Sequence, residues 1–329
     1  MRLVGVEEHF VTCEVLNANR RLDPADRDLA FGPASEGETS KRLLELGDDR
    51  IAAMDATGLD IQVLSLTTPG LQNLPAADTV PLQRSTNDIL ATTVSGRPDR
   101  FQGLATLATG DPKAAAHELE RAIRHLGFNG AMVYGRTGEK NMDHTDFWPI
   151  YEAADALRAP LHLHPQSPPT TVRDAYYSGF TPVIGASFAT FGIGWHYDAG
   201  VQFLRLVVAG VFDRFPHLQV IVGHWGELIL FYLERIQHLA DVAHLQRPLI
   251  EYVRNNLYVA SSGILSTRYL HWAIDIAGAD RVLFSTDYPF EQASTTGARL
   301  FLEESPLTQA TTTAIASGNW DRLTSEIRR

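Results

Sequence analysis

Four short motifs carry side chains able to hold a divalent ion or move a proton. They are Glu7-Glu8-His9, His162-Leu163-His164, His224 within Gly223-His224-Trp225-Gly226-Glu227, and Asp287 within Ser285-Thr286-Asp287-Tyr288-Pro289. Imidazole nitrogens and carboxylate oxygens suit Zn²⁺, Mn²⁺ and similar ions, with one coordination position left open for a reactant. Spacing decides which of them can share an ion, because residues i and i+2 of a strand point to the same face. Glu7 and His9 therefore face one way and Glu8 the other, while His162 and His164 pair by the same rule. Any one motif alone reads as structural, since a lone strand-end histidine is commonly satisfied by its neighbours and an Asp before a turn commonly caps it. Their conjunction is what points to a metal centre with a proton donor beside it.

These motifs must be positioned by the elements that end at them. Eight strand-like runs, at 3–10, 61–67, 101–108, 128–135, 160–164, 218–224, 257–261 and 282–287, alternate with helical patterns. Each run is short and bounded nearby by Gly, Pro, Asn, Asp or Ser. Helices are expected at 48–57, 112–126, 147–157, 201–212, 227–242 and 267–277; Asp111-Pro112 supplies a cap and a first-turn proline, and Gly278 a stop. Such alternation means parallel strands with crossover helices. Eight β runs without a composition break predict a single-domain (β/α)8 barrel over residues 1–329 rather than two Rossmann halves, and no G-x-G-x-x-G follows the first strand. The motifs end the first, fifth, sixth and eighth runs, the barrel face where active sites lie. Three insertions, 11–46, 136–146 and 166–197, are expected at or near that mouth.

Composition excludes several other functions. The 329 residues carry 28 Lys plus Arg against 39 Asp plus Glu, a net charge of −11, and no basic block. This argues against nucleic-acid and anionic-membrane partners, which need a basic footprint. The single cysteine, Cys13, excludes an intramolecular disulfide or a cysteine-based zinc cluster and reads as inert. No apolar run reaches the ~18 residues of a spanning helix, and the start lacks the apolar core of a signal peptide. A cytoplasmic protein is expected.

The order E-x-H, L-H-P, G-H-x-G-E and S-T-D-Y-P resembles the amidohydrolase superfamily. Within it, the pattern is similar to the branch of aminocarboxymuconate-semialdehyde and hydroxybenzoate decarboxylases, nearest to the γ-resorcylate (2,6-dihydroxybenzoate) and 2,3-dihydroxybenzoate enzymes. Pro98-Asp99-Arg100-Phe101, Leu126-Gly127-Phe128-Asn129-Gly130-Ala131 and Gly278-Ala279-Asp280-Arg281 extend the likeness over most of the chain. Tyr288 departs from it where many relatives carry Trp, as does the segment 11–46.

Carried over by position, the resemblance implies Glu7, His9, His164 and Asp287 as ligands of one divalent ion, Zn²⁺ or Mn²⁺ before Mg²⁺, with no organic cofactor. It puts His224 beside the substrate, with Glu227 fixing its tautomer, Arg235 reaching a neighbouring subunit's substrate, and Phe290 as an aromatic wall. A homodimer or homotetramer acting on a small aromatic acid follows. The implied reaction is reversible, non-oxidative decarboxylation of an ortho-hydroxybenzoate by a carbon–carbon lyase. Direct loss of CO₂ would leave an aryl anion, so the ipso carbon is protonated first, with Asp287 as donor and His224 orienting or sharing the proton.

Two other readings compete: a hydrolase of the same superfamily acting on a lactone or amide, and a non-enzymatic scaffold. The first commonly uses H-x-H and a bridging lysine, yet the fourth run ends Met132-Val133-Tyr134-Gly135; the second is opposed by the intact ligand set. Glu8 is expected to bond barrel backbone, and His162 to face the centre without ligating. His196 lies in an insertion, where a structural role outweighs a substrate-gating one. Tyr176, Tyr177, Phe180, Phe188, Phe191 and Trp195 suit a ring pocket or a subunit contact equally well.

Overall fold

A computed structural model describes residues 1–291 and 297–329. The barrel strands are β1 (Val4–Phe10), β2 (Ile61–Leu66), β3 in two pieces (Phe101–Gly103 and Ala105–Thr106), β4 (Ala131–Tyr134), β5 (Leu161–His164), β6 (Val220–Val222), β7 (Leu257–Ala260) and β8 (Val282–Leu283). All their pairings are parallel. One sheet runs β1-β2-β3 and the other β8-β7-β6-β5-β4-β3. The two close into a (β/α)8 barrel where Val6 N donates to Phe284 O (3.0 Å) and His9 N to Tyr288 O (2.7 Å). The break in β3 is local, because Leu104 N still donates to Leu64 O at 2.9 Å.

Apolar side chains form two layers. Val4, Val6, Val63, Met132, Ile221 and Tyr258 pack together as one cluster with Trp320 and Leu323 of the C-terminal helix Asn319–Ser325. A larger layer, including Leu64, Phe101, Leu119, Leu163 and Val222, packs the outer strand faces against the helices. This alternation along each strand is what an inward-and-outward barrel strand requires. β1 departs from it in one place. Gly5 pairs with Gln62 but Glu8 pairs with Leu64, so β1 carries one extra residue. That bulge lets Val6 and then Glu7 both turn inward and brings His9 inward too.

Local signals explain several helices. Asp111 Oδ1 accepts from Ala114 N (3.1 Å) at the start of Pro112–Arg124, and Gly58, at φ 77°, closes Asp48–Thr57. Helices Trp148–Leu157 and Thr267–Ala277 match expectation closely.

Two expectations need correction, and one helix lies outside them. The helix expected at 201–212 begins earlier, as Gly194–Val208. The helix expected at 227–242 begins only at Ile229 and breaks into Ile229–Ile236 and His238–Val242. It starts late because His224, Trp225, Gly226, Glu227 and Leu228 all have positive φ, forming a left-handed turn rather than a helical one. Helix Ala76–Gly96 was not expected at all: its buried face is Thr79, Gln83, Thr86, Asn87 and Leu90, too polar to show an apolar period.

The insertions have structure of their own. Segment 11–46 forms helices Cys13–Arg20, Phe31–Ser35 and Gly37–Leu44, and 136–146 contains the hairpin Arg136–Thr137/Lys140–Asn141. Asp28 accepts from Ser167 Oγ at 2.6 Å, joining the first insertion to the third. No helix among the described residues is long and apolar enough to cross a membrane.

Candidate metal centre and its neighbours

Glu7 and His9 from β1, His164 from β5 and Asp287 after β8 converge, each offering an atom within 4.8 Å of the others'. Glu7 and His9 are fully buried and His164 nearly so. Asp287 adopts a left-handed backbone (φ 56°), which turns its carboxylate into the mouth while its amide still donates to Glu7 O at 3.1 Å. A non-glycine residue held there is strained and persists where its surroundings over-determine it.

The hydrogen bonds leave ligand atoms free. His164 Nδ1 lies 2.9 Å from Pro165 O, a pure acceptor, so the proton sits on Nδ1 and Nε2 presents its lone pair. His9 Nδ1 faces Ser65 Oγ at 3.4 Å, leaving Nε2 toward Asp287 Oδ1 at 3.1 Å. Glu7 Oε2 accepts from Ser262 Oγ and faces His162 Nε2 at 3.2 Å; Oε1 faces His164 Nε2 at 3.4 Å. Glu7 Oε1, His9 Nε2 and Asp287 Oδ1 are buried without a hydrogen-bond partner. Orphaned buried acceptors on a two-histidine, two-carboxylate set are what a divalent cation satisfies, so the residues fit the ion.

The protonation states agree. Burial works to raise Glu7, but His162, His164 and His224 hold it well below the ordinary carboxylate range. Burial pushes His9 below its ordinary value despite the pull of Asp287, which keeps the imidazole neutral. Asp287 is likewise opposed by burial yet held low by His224 and His9.

His224 stands at the edge of this cluster. Its Nε2 is 3.7 Å from Asp287 Oδ2 and its Nδ1 is 2.5 Å from Glu227 Oε1. Burial opposes its charge, but Glu227 and Asp287 raise it well above the ordinary value. Phe290 is half-buried and lays an edge against the His9 ring, with centroids 5.7 Å apart. Arg235 lies elsewhere, on the exposed side of helix Ile229–Ile236.

Glu8 points outward and accepts from Thr286 N (2.8 Å), Thr286 Oγ1 (2.6 Å) and Tyr288 N (3.3 Å), stitching β1 to the strand-8 loop. His162 is fully buried and touches Glu7. The aromatic cluster is mainly surface: Tyr176, Phe180, Phe188 and Phe191 are exposed, and Tyr177 is buried among them. Ser65, Ser262 and the link from His196 to Glu227 escaped the sequence reading. Only the serines closing or lining strand runs, at Ser65 and Ser261-Ser262, signalled them.

The fold and this constellation define a metal-site barrel of the amidohydrolase kind. Residues 12–323 match the amidohydrolase family, and the chain belongs to it. It is 35% identical to γ-resorcylate decarboxylase of Polaromonas sp. strain JS666, with 97% of each chain covered. Among solved structures it resembles 5-carboxyvanillate decarboxylase from Sphingomonas paucimobilis (TM-score 0.89, 30% identity, 99% of both chains). It also resembles a dihydroxybenzoic acid decarboxylase from Polaromonas sp. JS666 holding manganese and the inhibitor 2-nitroresorcinol (TM-score 0.85, 32% identity, 100% of this chain and 98% of that one).

Proposed function

We propose that this chain is a carbon–carbon lyase, a metal-dependent decarboxylase that removes CO₂ without oxidation from an ortho-hydroxylated aromatic acid. The observation that carries the reading is the cluster of Glu7, His9, His164 and Asp287 with buried, unpartnered acceptor atoms, and His224 aimed at Asp287. The named activities of similar proteins support the same class.

The ligands are Glu7, His9, His164 and Asp287; the ion supplies Lewis-acid stabilisation of phenolate and carboxylate charge. Zn²⁺ and Mn²⁺ suit the donor set, and manganese in a similar structure favours the second. Asp287 carries the proton to the ipso carbon, and His224, held by Glu227, orients and replenishes it. The new C–H bond forms as the ring loses aromaticity. The ring–carboxylate bond then breaks, its electron pair returns to the ring, and CO₂ leaves. Phe290 walls the ring. Protons and electrons balance without an organic cofactor, and the sequence runs backwards at high bicarbonate. The hydrolase alternative draws no support from the fourth strand, which ends at Tyr134 rather than a lysine and spends its hydroxyl on Leu66 O.

Arg235, exposed and outside its own centre, suits a partner subunit's site in a homodimer or homotetramer. The single free cysteine suits a cytoplasmic setting. The test joins elemental analysis of protein purified without added metal to CO₂ release from dihydroxybenzoates, salicylate, orsellinate-like acids and carboxyvanillate. One tightly held equivalent of metal and CO₂ from an ortho-hydroxy acid is expected. Full turnover after chelator treatment would overturn the mechanism.

A further inference from the structure

Helix Gly194–Val208 grips the turn that carries His224 at two points. His196 Nδ1 lies 2.6 Å from Glu227 Oε2. A carboxylate only accepts, so the imidazole nitrogen donates. One helical turn on, Gly200 brings its backbone so close that an added Cβ would stand 2.4 Å from Glu227 O. Positions four residues apart share a helix face, so one face holds both the side chain and the backbone of Glu227. The outer edge of the His196 ring is fixed in turn, with Nε2 3.2 Å from Phe191 O.

The turn needs such a grip. His224, Trp225, Glu227 and Leu228 hold positive φ without being glycine, between 46° and 69°. Left-handed backbone of that kind costs free energy and persists where its neighbours over-determine it. Glu227 is buried, and its other oxygen, Oε1, lies 2.5 Å from His224 Nδ1. Among the described residues, only His224 and His196 hydrogen-bond its carboxylate. Burial works to raise Glu227, but the two imidazoles hold it below the ordinary carboxylate value, which keeps both oxygens acceptors. Removing the donor at Oε2 leaves a buried oxygen unsatisfied. The carboxylate then turns to find another partner, and His224 turns with it.

We propose that His196 is a positioning residue for proton transfer: it holds Glu227, and Glu227 holds the His224 ring at the angle that aims Nε2 toward Asp287. That last approach is 3.7 Å, to Asp287 Oδ2. His196 makes no hydrogen bond to Glu7, His9, His164 or Asp287, so its effect passes through Glu227. Insertion 166–197 thereby contributes to the centre from outside the barrel strands. The share of His196 in turnover rests on the decarboxylase reading; its placement of His224 does not.

The test joins kinetics to a direct view of His224, in variants checked for fold by circular dichroism. His196→Ala is expected to lower kcat by about 10- to 100-fold, the usual cost of losing a group that orients an active-site side chain, with KM and metal content unchanged. His196→Asn, whose amide N–H takes the place of Nδ1–H, is expected to recover most of that loss. In a Glu227→Gln background, His196→Ala is expected to add nothing, because the two residues act as one unit. A merely structural histidine would cost the same in both backgrounds. NMR of zinc-loaded protein with isotope-labelled histidine reads the His224 ring itself, its signals assigned by their loss in His224→Ala. They are expected to shift in His196→Ala and to return in His196→Asn. Wild-type kcat in His196→Ala, an equal loss in both backgrounds, or unmoved His224 signals would overturn the proposal. If the wild type released CO₂ from no acid tested, the decarboxylase reading would fall. His224 signals that move in His196→Ala and return in His196→Asn would still uphold the placement.

Discussion

His224 works through its two ring nitrogens, one on Glu227 at 2.5 Å and one toward Asp287 at 3.7 Å. It is not one of the four residues proposed to hold the ion. Removing it therefore separates proton handling from metal binding. His224→Ala is expected to lower kcat by about 10²–10⁴-fold, the usual worth of a positioned acid–base group, while elemental analysis finds the metal content of protein purified without added metal unchanged. Metal loss in that variant would mean that His224 is a ligand. Asp287→Asn, by contrast, alters both a proposed ligand and the proposed proton donor, and is expected to abolish turnover in a folded protein. At this scale the sequence was informative because every one of these side chains belongs to a short motif at a strand end. Ser262 and His196 were not legible: their contacts with Glu7 and Glu227 span residues far apart in the chain.

Strands and helices fix where those side chains point. β1 would carry Glu8 inward if it alternated strictly from Val4 and Val6, and the one-residue bulge reverses that. Helix Ala76–Gly96 clamps β3 through polar groups: Asn87 Nδ2 donates to Thr106 O (3.0 Å) and Glu118 Oε1 (2.8 Å), and Asn87 Oδ1 accepts from Thr106 N (2.8 Å). Truncation leaves the buried Thr106 N–H and carbonyl without their Asn87 partner, while Glu118 keeps its pair with Arg121. Asn87→Ala is expected to cost about 2–4 kcal/mol, because each unsatisfied buried group costs roughly 1–3 kcal/mol. A urea midpoint unchanged from wild type would show that this clamp does not stabilise the fold. The helix hid in the sequence because its inner face is made of Thr, Gln and Asn.

At the scale of the whole molecule, the catalytic mouth is bordered by apolar surface. Phe231 and Tyr232 on helix Ile229–Ile236 and Trp272 on Thr267–Ala277 are exposed, and Phe231 stacks on Trp272 at 5.1 Å. Contiguous exposed aromatics of this kind mark contact surfaces. Arg235 lies on the same helix. Light scattering is expected to give at least twice the 36.3 kDa chain mass. Arg235→Ala is expected to lower turnover with metal content retained. A fully active monomer would contradict both the subunit contact and the role of Arg235.

The eight-run rhythm, the strand-end motifs and the acidic balance were legible in the linear chain, since each depends on residue type at short spacing. Strand parity alone pairs Glu7 with His9 and His162 with His164. Tertiary structure decided the rest. The β1 bulge, the left-handed turn at 224–228 and the close approach at Gly200 arise from packing between distant segments. These contacts bring Glu7, His9, His164 and Asp287 within one ion's reach and tie His196 to Glu227, because local spacing sets a side chain's face but only barrel closure sets its neighbours.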